Sequence, residues 1–253
     1  MRRWQVSEIG GAPQLVGAAR PEPGPGQVLV RVEVVGLNFA DLLMRDGTYQ
    51  VRPALPYVPG MEMAGTVEAT GLGVTGLPVG ARVLAYLGLG ALAEWVVVAA
   101  DRLLPLPEAM PFDHAAAFPI AYGASHLALD HKARLQPGER PLALGAAGGV
   151  GLTAAATGAR VGANRVARSP RPDKLAVARA AGASTLIDSE TPDLKAAFKA
   201  LGGVDVVYDT IGGEMGEAAL SALRPEGRFL AIGFAGGTPP QIRSNHLLVK
   251  NIS

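Results

Sequence analysis

The sequence predicts an α/β protein in two parts: a β-rich barrel or sandwich, then a doubly wound parallel sheet. Three observations predict this. The first half holds short alternating runs cut by Gly and Pro. From Arg140 onward, apolar strand candidates alternate with helical stretches, the pattern of a parallel sheet covered on both faces. At the first strand-to-helix turn of that second half stands "LGAAGGVGL", residues 144–152.

In the first part, "QVLVRVEVVGLN" (27–38) alternates charged and apolar residues. "GTVEATG" (65–71), "ARVLAYL" (81–87) and "LAEWVVVAA" (92–100) are shorter β-like runs, and "PEPGPG" (21–26) and "LPVG" (77–80) supply turns. The pattern changes near Pro111, where "PFDHAAAFPIAYGASHLALDH" is Ala-rich and helical in character despite Pro119. Strand candidates then fall at 141–144, 165–168, 185–187, 204–208 and 228–232, with helices expected over 173–183 and 193–203. The expected division is residues 1–117 for the first domain and 118–253 for the second.

Composition limits the function classes. The chain has 253 residues, 49% of them hydrophobic, enough for a sizeable core. Lys and Arg number 23 against 22 Asp and Glu, so net charge gives no reason to expect a nucleic acid or an anionic membrane as partner. The absence of cysteine excludes disulfides, thiolate nucleophiles and sulfur-ligated zinc. "MRRWQVSEIG" lacks the apolar core of a secretory signal, and no uncharged apolar run approaches the roughly 20 residues of a membrane helix. A soluble, cytoplasmic protein is expected.

The glycine stretch reads as a dinucleotide-binding turn. "PLAL" is the candidate strand and "VGLTAAATGARV" the candidate helix. Ala146, Gly148 and Gly151 occupy the three small-residue positions, with Gly149 and Val150 between the last two. A glycine at the middle position lets backbone approach a pyrophosphate; the last lets the helix pack against the strand. Free N–H groups and the positive end of the helix dipole then face the phosphates. Ala at the first position departs from the strict fingerprint.

About 20 residues further on, an acid would bind the ribose 2′-hydroxyl of NAD. Here "NRVARSPRPDK" (164–174) offers Arg168, Ser169, Arg171 and Lys174, and its acid, Asp173, lies past the expected strand end. Guanidinium, ammonium and hydroxyl groups suit a 2′-phosphate, so NADP(H) is the expected cofactor.

Four stretches together resemble the zinc-independent quinone oxidoreductases of the medium-chain dehydrogenase/reductase superfamily. They are "GLNFADLLMRDGTY" (36–49), "LPYVPGMEMAGTVEATG" (55–71), "AAAFPIAYGASHLAL" (115–129) with "GAAGGVG" after it, and "GVDVVYDTIGG" (203–213). They run along nearly the whole chain in the family's order. The resemblance implies a GroES-like β-barrel catalytic domain joined to a Rossmann domain. It also implies a homodimer for the full-length form and a small-molecule acceptor, a quinone or an activated alkene (enone).

Zinc-dependent relatives place Cys where this chain has Asn38 and His where it has Met61. An amide is a poor zinc ligand and a thioether suits softer metals, so no metal is expected. Glu62 and the four histidines show no recognisable ligand spacing. Without a Lewis acid, alcohol oxidation is disfavoured and reduction of an electrophilic acceptor is expected.

The resemblance carries roles to single residues. Asn38 matches an asparagine that hydrogen-bonds the nicotinamide or the substrate. Tyr49 matches a tyrosine of the substrate cleft, although its ring is equally consistent with the edge of a core. Tyr122 and Ser125 fall where the family runs a helix beside the nicotinamide, Ser125 standing where Thr is usual. Asp209 and Thr210 follow a strand at the ligand-binding end of the sheet. Gly233 and Phe234 match the segment over the nicotinamide ribose, although Phe234 is equally consistent with a core position. The family's chain continues past "NHLLVKNIS" with a sixth strand and the completion of the catalytic domain, which implies that both domains are incomplete at the C-terminal side. An enoyl-thioester reductase and a non-catalytic NADPH-binding protein are the alternative functions.

Overall fold

The computed structural model describes the backbone of residues 1–169, 172–188 and 193–253, and the side chains of all of these except Arg168, Ser169, Pro172 and Asp188. The chain divides into two compact units, Met1–Ile120 and Ala121–Ser253.

The first unit is antiparallel. Strands β1 (Arg2–Gln5) and β2 (Gln14–Gly17) form a ribbon. Strands β3 (Gln27–Gly36), β4 (Glu62–Thr70), β5 (Arg82–Tyr86), β6 (Trp95–Ala99) and β7 (Leu104–Pro105) form a sheet in the order β6-β3-β4-β5-β7. Alternation along these strands sends Val28, Val30, Met63, Val67, Val83, Val96 and Val98 into one core. The expected runs at 27–38, 65–71, 81–87 and 92–100 all contain strands. Not foreseen was the short helix α1 (Phe39–Arg45), which begins directly after β3. Helices α2 (Phe112–Ala116) and α3 (Phe118–His126) follow β7, and the chain then continues as a π-helical turn over Leu127–Lys132.

The second unit is a parallel sheet with helices between its strands. Strands β8 (Pro141–Leu144), β9 (Val166–Ser169), β10 (Thr185–Asp188), β11 (Val204–Asp209) and β12 (Leu223–Ala231) lie in the order β10-β9-β8-β11-β12. The intervening helices are α4 (Gly149–Val161), α5 (Pro172–Ala180), α6 (Leu194–Ala200) and α7 (Gly213–Leu220), with α8 (Ser244–Lys250) after β12. Both faces of the sheet are covered. Leu142, Leu144, Val207 and Leu223 pack on one side with Phe198 and Leu220. Val206 and Tyr208 pack on the other with Leu129 and Ala154. Residues buried on both faces account for the continuous apolar runs in the sequence. Strand β12 begins at Leu223, earlier than the expected 228, and its pairing with β11 is irregular between Val204 and Val206.

This strand order places β8 at the centre. From it the chain steps first to one side, through β9 and β10, then to the other, through β11 and β12. The gap at the carboxyl ends of β8 and β11 is the switch point at which such sheets bind ligands.

Candidate active site

The stretch "LGAAGGVGL" sits at that switch point, between β8 and α4. Its four glycines divide into two pairs. Gly145 adopts φ +67°, and a side chain there would press on Ile211 Cδ1 at 2.7 Å. Gly151 is buried, and a Cβ there would lie 2.7 Å from Ala146 Cα, so its absence lets α4 approach the strand. Gly148 and Gly149 are exposed. A Cβ at Gly148 would meet only Gly145 O at 3.4 Å, and one at Gly149 would meet nothing within 4 Å. These two positions face open space at the first turn of a thirteen-residue helix. Backbone N–H groups at such a turn, with no side chain in front, fit a pyrophosphate.

The backbone angle at Gly148 does not itself demand glycine. This residue is the N-cap of α4 with φ −79° and ψ 162°, an extended conformation open to any residue. The left-handed position in the loop is Gly145. Ala146, at the first small-residue position, turns its methyl into a core with Ala143, Ala167 and Ala178 and is fully buried. Val150 lies partly buried against the core on the Tyr208 side of the sheet.

Several polar residues assigned to ligand contact turn inward instead. Ser125 is fully buried. Its Oγ lies 2.8 Å from Thr153 Oγ1 and 3.0 Å from Tyr208 OH, and it donates to Val150 O at 3.2 Å. Thr153 Oγ1 lies 2.9 Å from both Ala121 O and Val150 O, which share its one hydrogen. These hydroxyls link α3 to the first turn of α4. Burial pushes the Tyr208 phenol up to about 12, partly offset by its bond to Ser125, so the network is neutral.

Asp209 is also fully buried. Its Oδ1 accepts the N–H groups of Ile211 and Gly212 at 2.9 Å each, forming the turn that leads into α7. Burial raises its pKa, and those two bonds lower it. Thr210 donates to Leu144 O at 2.8 Å, tying the ends of β11 and β8 together. Ser125 and the Oδ1 of Asp209 therefore build the frame of the loop, while Asp209 Oδ2 is buried with no hydrogen-bond partner among the described residues.

Other expected positions are presented outward. Gly233 follows β12, and its N–H donates to Asp209 O at 3.2 Å. Phe234 is 42% exposed, which removes the core reading. Tyr122 is 39% exposed. Lys174 is exposed in the first turn of α5, close after the end of β9. The side chains of Arg168 and Ser169, and Arg171 entirely, lie outside the described residues.

In the antiparallel unit, Asn38 is the N-cap of α1 and half-buried. Two buried carboxylates meet it. Asp41 Oδ2 accepts the backbone N–H of Asn38 at 2.9 Å, and its Oδ1 accepts that of Gly60 at 3.1 Å. Glu62, 2% exposed, accepts Asn38 Nδ2 on Oε1 and the N–H of Ile120 on Oε2, each at 2.8 Å. Burial is the main influence on both acids and raises both pKa values; the hydrogen bonds oppose it. Gly36 makes room, since a Cβ there would press on Glu62 Cγ at 2.7 Å and Ala116 O at 2.6 Å. Tyr49 follows α1, half-buried, its N–H donating to Leu43 O. Sequence reasoning missed Asp41 and Glu62 as site groups. The Asn-x-x-Asp spacing at 38–41, an acid at the third position after an N-cap, was the available signal for Asp41.

An antiparallel unit with a polar cluster after its longest strand, and a parallel unit with an open glycine turn at its switch point, together define a medium-chain dehydrogenase/reductase. Residues 24–108 match the alcohol dehydrogenase GroES-like domain family, and residues 149–253 match the zinc-binding dehydrogenase family. Quinone oxidoreductase-like protein 2 of Mus musculus is 40% identical over 248 residues, which cover 95% of this chain and 70% of that protein. Its homolog in Nematostella vectensis is 39% identical over 234 residues, covering 91% and 64%. Among solved structures, the quinone oxidoreductase of Thermus thermophilus superposes with a TM-score of 0.85 at 38% identity, covering all of this chain and 78% of that one. The chain belongs to the quinone oxidoreductase family of that superfamily, and it spans 64% and 70% of the lengths of the two curated relatives.

Proposed function

We propose that the chain is an oxidoreductase that binds NADP(H) and passes a hydride to a quinone or an activated alkene without the help of zinc. The observation that carries this is the open pair Gly148–Gly149 at the switch point of the parallel sheet, a cradle that a Cβ would fill. The Thermus thermophilus relative, whose structure was also determined in complex with NADPH, supports the choice of cofactor. NADPH, when bound, supplies the hydride.

The protein's residues bind, orient and stabilise. The N–H groups at the start of α4 hold the pyrophosphate, and Lys174 with Arg168 and Ser169 reads the 2′-phosphate. Tyr122, Gly233 and Phe234 would hold the nicotinamide and its ribose. Asn38 would donate a hydrogen bond to a carbonyl oxygen of a ligand, and Tyr49 would orient the acceptor or donate the proton that the reduced acceptor takes up, regaining one from solvent.

The donor set supports a zinc-free site. Asn38 turns its amide nitrogen, a hydrogen-bond donor, toward Glu62, and Met61 offers a buried thioether. Among the described residues, no three His, Cys, Asp or Glu side chains come together as a cation site.

One assay panel tests the proposal: NADPH oxidation by the purified protein with 1,4-benzoquinone, an enone and crotonyl thioester, with and without chelator. Turnover of quinone or enone that survives chelation is expected. Turnover confined to the thioester would make the protein an enoyl-thioester reductase. NADPH binding without turnover of any of the three would make it a binding protein. Loss of activity on removal of a stoichiometric zinc would overturn the zinc-free reading.

A further inference from the structure

We propose that Glu62 is a positioning residue that fixes which way round the Asn38 amide stands, and so aims one hydrogen-bond donor at a ligand carbonyl. The inference rests on the reading of Asn38 as a site residue. A carboxamide has two ends of opposite polarity and similar shape, and an unrestrained one can present either end. Glu62 removes that freedom. Both of its oxygens accept N–H bonds, Oε1 from Asn38 Nδ2 and Oε2 from the Ile120 backbone, each at 2.8 Å. That is the pattern of an ionised carboxylate, which only accepts. The flipped amide would set its carbonyl oxygen against a negative charge in a site that is 2% exposed, where such repulsion is poorly screened.

Both ends of the pair are fixed independently. Ile120 N–H and the missing Cβ of Gly36 hold the carboxylate in place. Asp41 holds the Asn38 backbone through its N–H, and holds Gly60, two residues before Glu62, through another. With one Nδ2 hydrogen committed to Glu62, the second points in a set direction. It is the one hydrogen of that amide left to donate to a ligand carbonyl. Donors fixed before the substrate arrives cost no reorganisation during the reaction. Glu62 touches neither cofactor nor substrate in this scheme. It acts through Asn38.

The test has a ligand-free arm and a kinetic arm. In the ligand-free protein labelled with 15N, the two side-chain hydrogens of Asn38 are expected to differ, one shifted downfield and exchanging more slowly than those of Asn245 and Asn251. Glu62→Gln keeps the shape but can donate as well as accept, so that difference should collapse. With 1,4-benzoquinone and NADPH, Glu62→Gln should lower kcat about 10-fold, the equivalent of one displaced hydrogen bond, with KM for NADPH changed less than about 2-fold. In an Asn38→Ala background the same substitution should change kcat by less than about 2-fold. Unshifted Asn38 hydrogens in the parent protein would overturn the proposal without need of a variant. So would an unchanged kcat in Glu62→Gln, or an equal loss in the Asn38→Ala background, which would make Glu62 a support of the fold alone. Parental kcat in Asn38→Ala by itself would overturn the role of Asn38, and with it this inference, whatever the Glu62 variant does.

Discussion

In the antiparallel unit, the candidate site is made of side-chain groups: an amide at Asn38 oriented by a carboxylate, and a phenol at Tyr49. In the parallel unit, the glycine turn is made of backbone, and the hydroxyls of Ser125, Thr153, Tyr208 and Thr210 and the Oδ1 of Asp209 are engaged with protein groups. Ser125, Thr153 and Tyr208 satisfy one another, Asp209 caps a turn, and Thr210 ties two strands together. On the proposed function, the two units would reach ligands by different means. In the first, a change of polarity at constant shape should matter most. In the second, the addition of a Cβ should matter most and a change of side-chain polarity least.

The largest expected effect tests the backbone half of that contrast. Gly148→Val places a branched side chain where the phosphates would lie. Its Cβ meets only Gly145 O, at 3.4 Å, and its φ of −79° is ordinary, so the fold should persist. Two charge-assisted N–H contacts at roughly 1.5 kcal/mol each correspond to an affinity loss of about 100-fold for NADPH. Gly151→Val is the counterpart. Its Cβ would overlap the backbone of Gly145 and Ala146, so stability should fall by about 1–3 kcal/mol or more as α4 is forced off the strand. Cofactor titration by fluorescence and thermal unfolding, applied to both variants, separate the two roles. A Gly148→Val protein that binds NADPH like its parent would reduce the stretch to a turn and break the comparison.

The next effect sharpens it, because the 2′-phosphate is the place where the parallel unit is proposed to use side chains. Lys174 is exposed at the start of α5. Lys174→Ala, or Arg168→Ala, removes a charged partner of phosphate worth on the order of 1.5–3 kcal/mol, so NADPH should bind about 10-fold more weakly or worse. NADH, which lacks that phosphate, should bind nearly as before. An equal loss for both cofactors would show that these residues do not read the 2′-phosphate.

What the sequence revealed follows the same division. The parallel strands and the glycine turn were legible, because "PLAL" is an unbroken apolar run, "VDVVYD" keeps Val206, Val207 and Tyr208 together between its two aspartates, and the turn has a fixed spacing of small residues. Polar residues near the ligand end of the sheet were harder to read. Ser125 and Asp209 stand where ligand contacts were expected, yet both are fully buried and serve their neighbours. Their partners are far off in sequence: Ser125 meets Thr153 across 28 residues and Tyr208 across 83. No local pattern encodes such a meeting. In the antiparallel unit, Asn38 was legible by resemblance, but Glu62 was weighed only as a possible metal ligand. Its pairing with Asn38 depends on the packing of two strands and on the missing Cβ of Gly36. Helix α1 was hidden for a related reason. At seven residues it is too short to show a period, and it is held by its cap and by Asp41.

The smallest expected effect decides whether the hydroxyl network belongs to the site or to its frame. Tyr208→Phe removes one oxygen and leaves the ring, which is fully buried between β11 and its helices. Ser125 keeps Thr153 and Val150 O as partners, so no donor is stranded. The loss should be near that of a single neutral hydrogen bond, about 1 kcal/mol, or roughly 2–4 °C in Tm for a protein of this size. Because the phenol titrates only at about 12, the difference between variant and parent should stay constant across neutral and mildly alkaline pH. NADPH affinity should change by less than about 2-fold, because the hydroxyls brace α4 through Val150 O and Ala121 O and place nothing in front of Gly148. A tenfold loss of NADPH binding, with Tm unmoved, would mean that this network sets the position of the glycine turn. The parallel unit would then also act through its side chains, one layer behind the backbone that meets the phosphates.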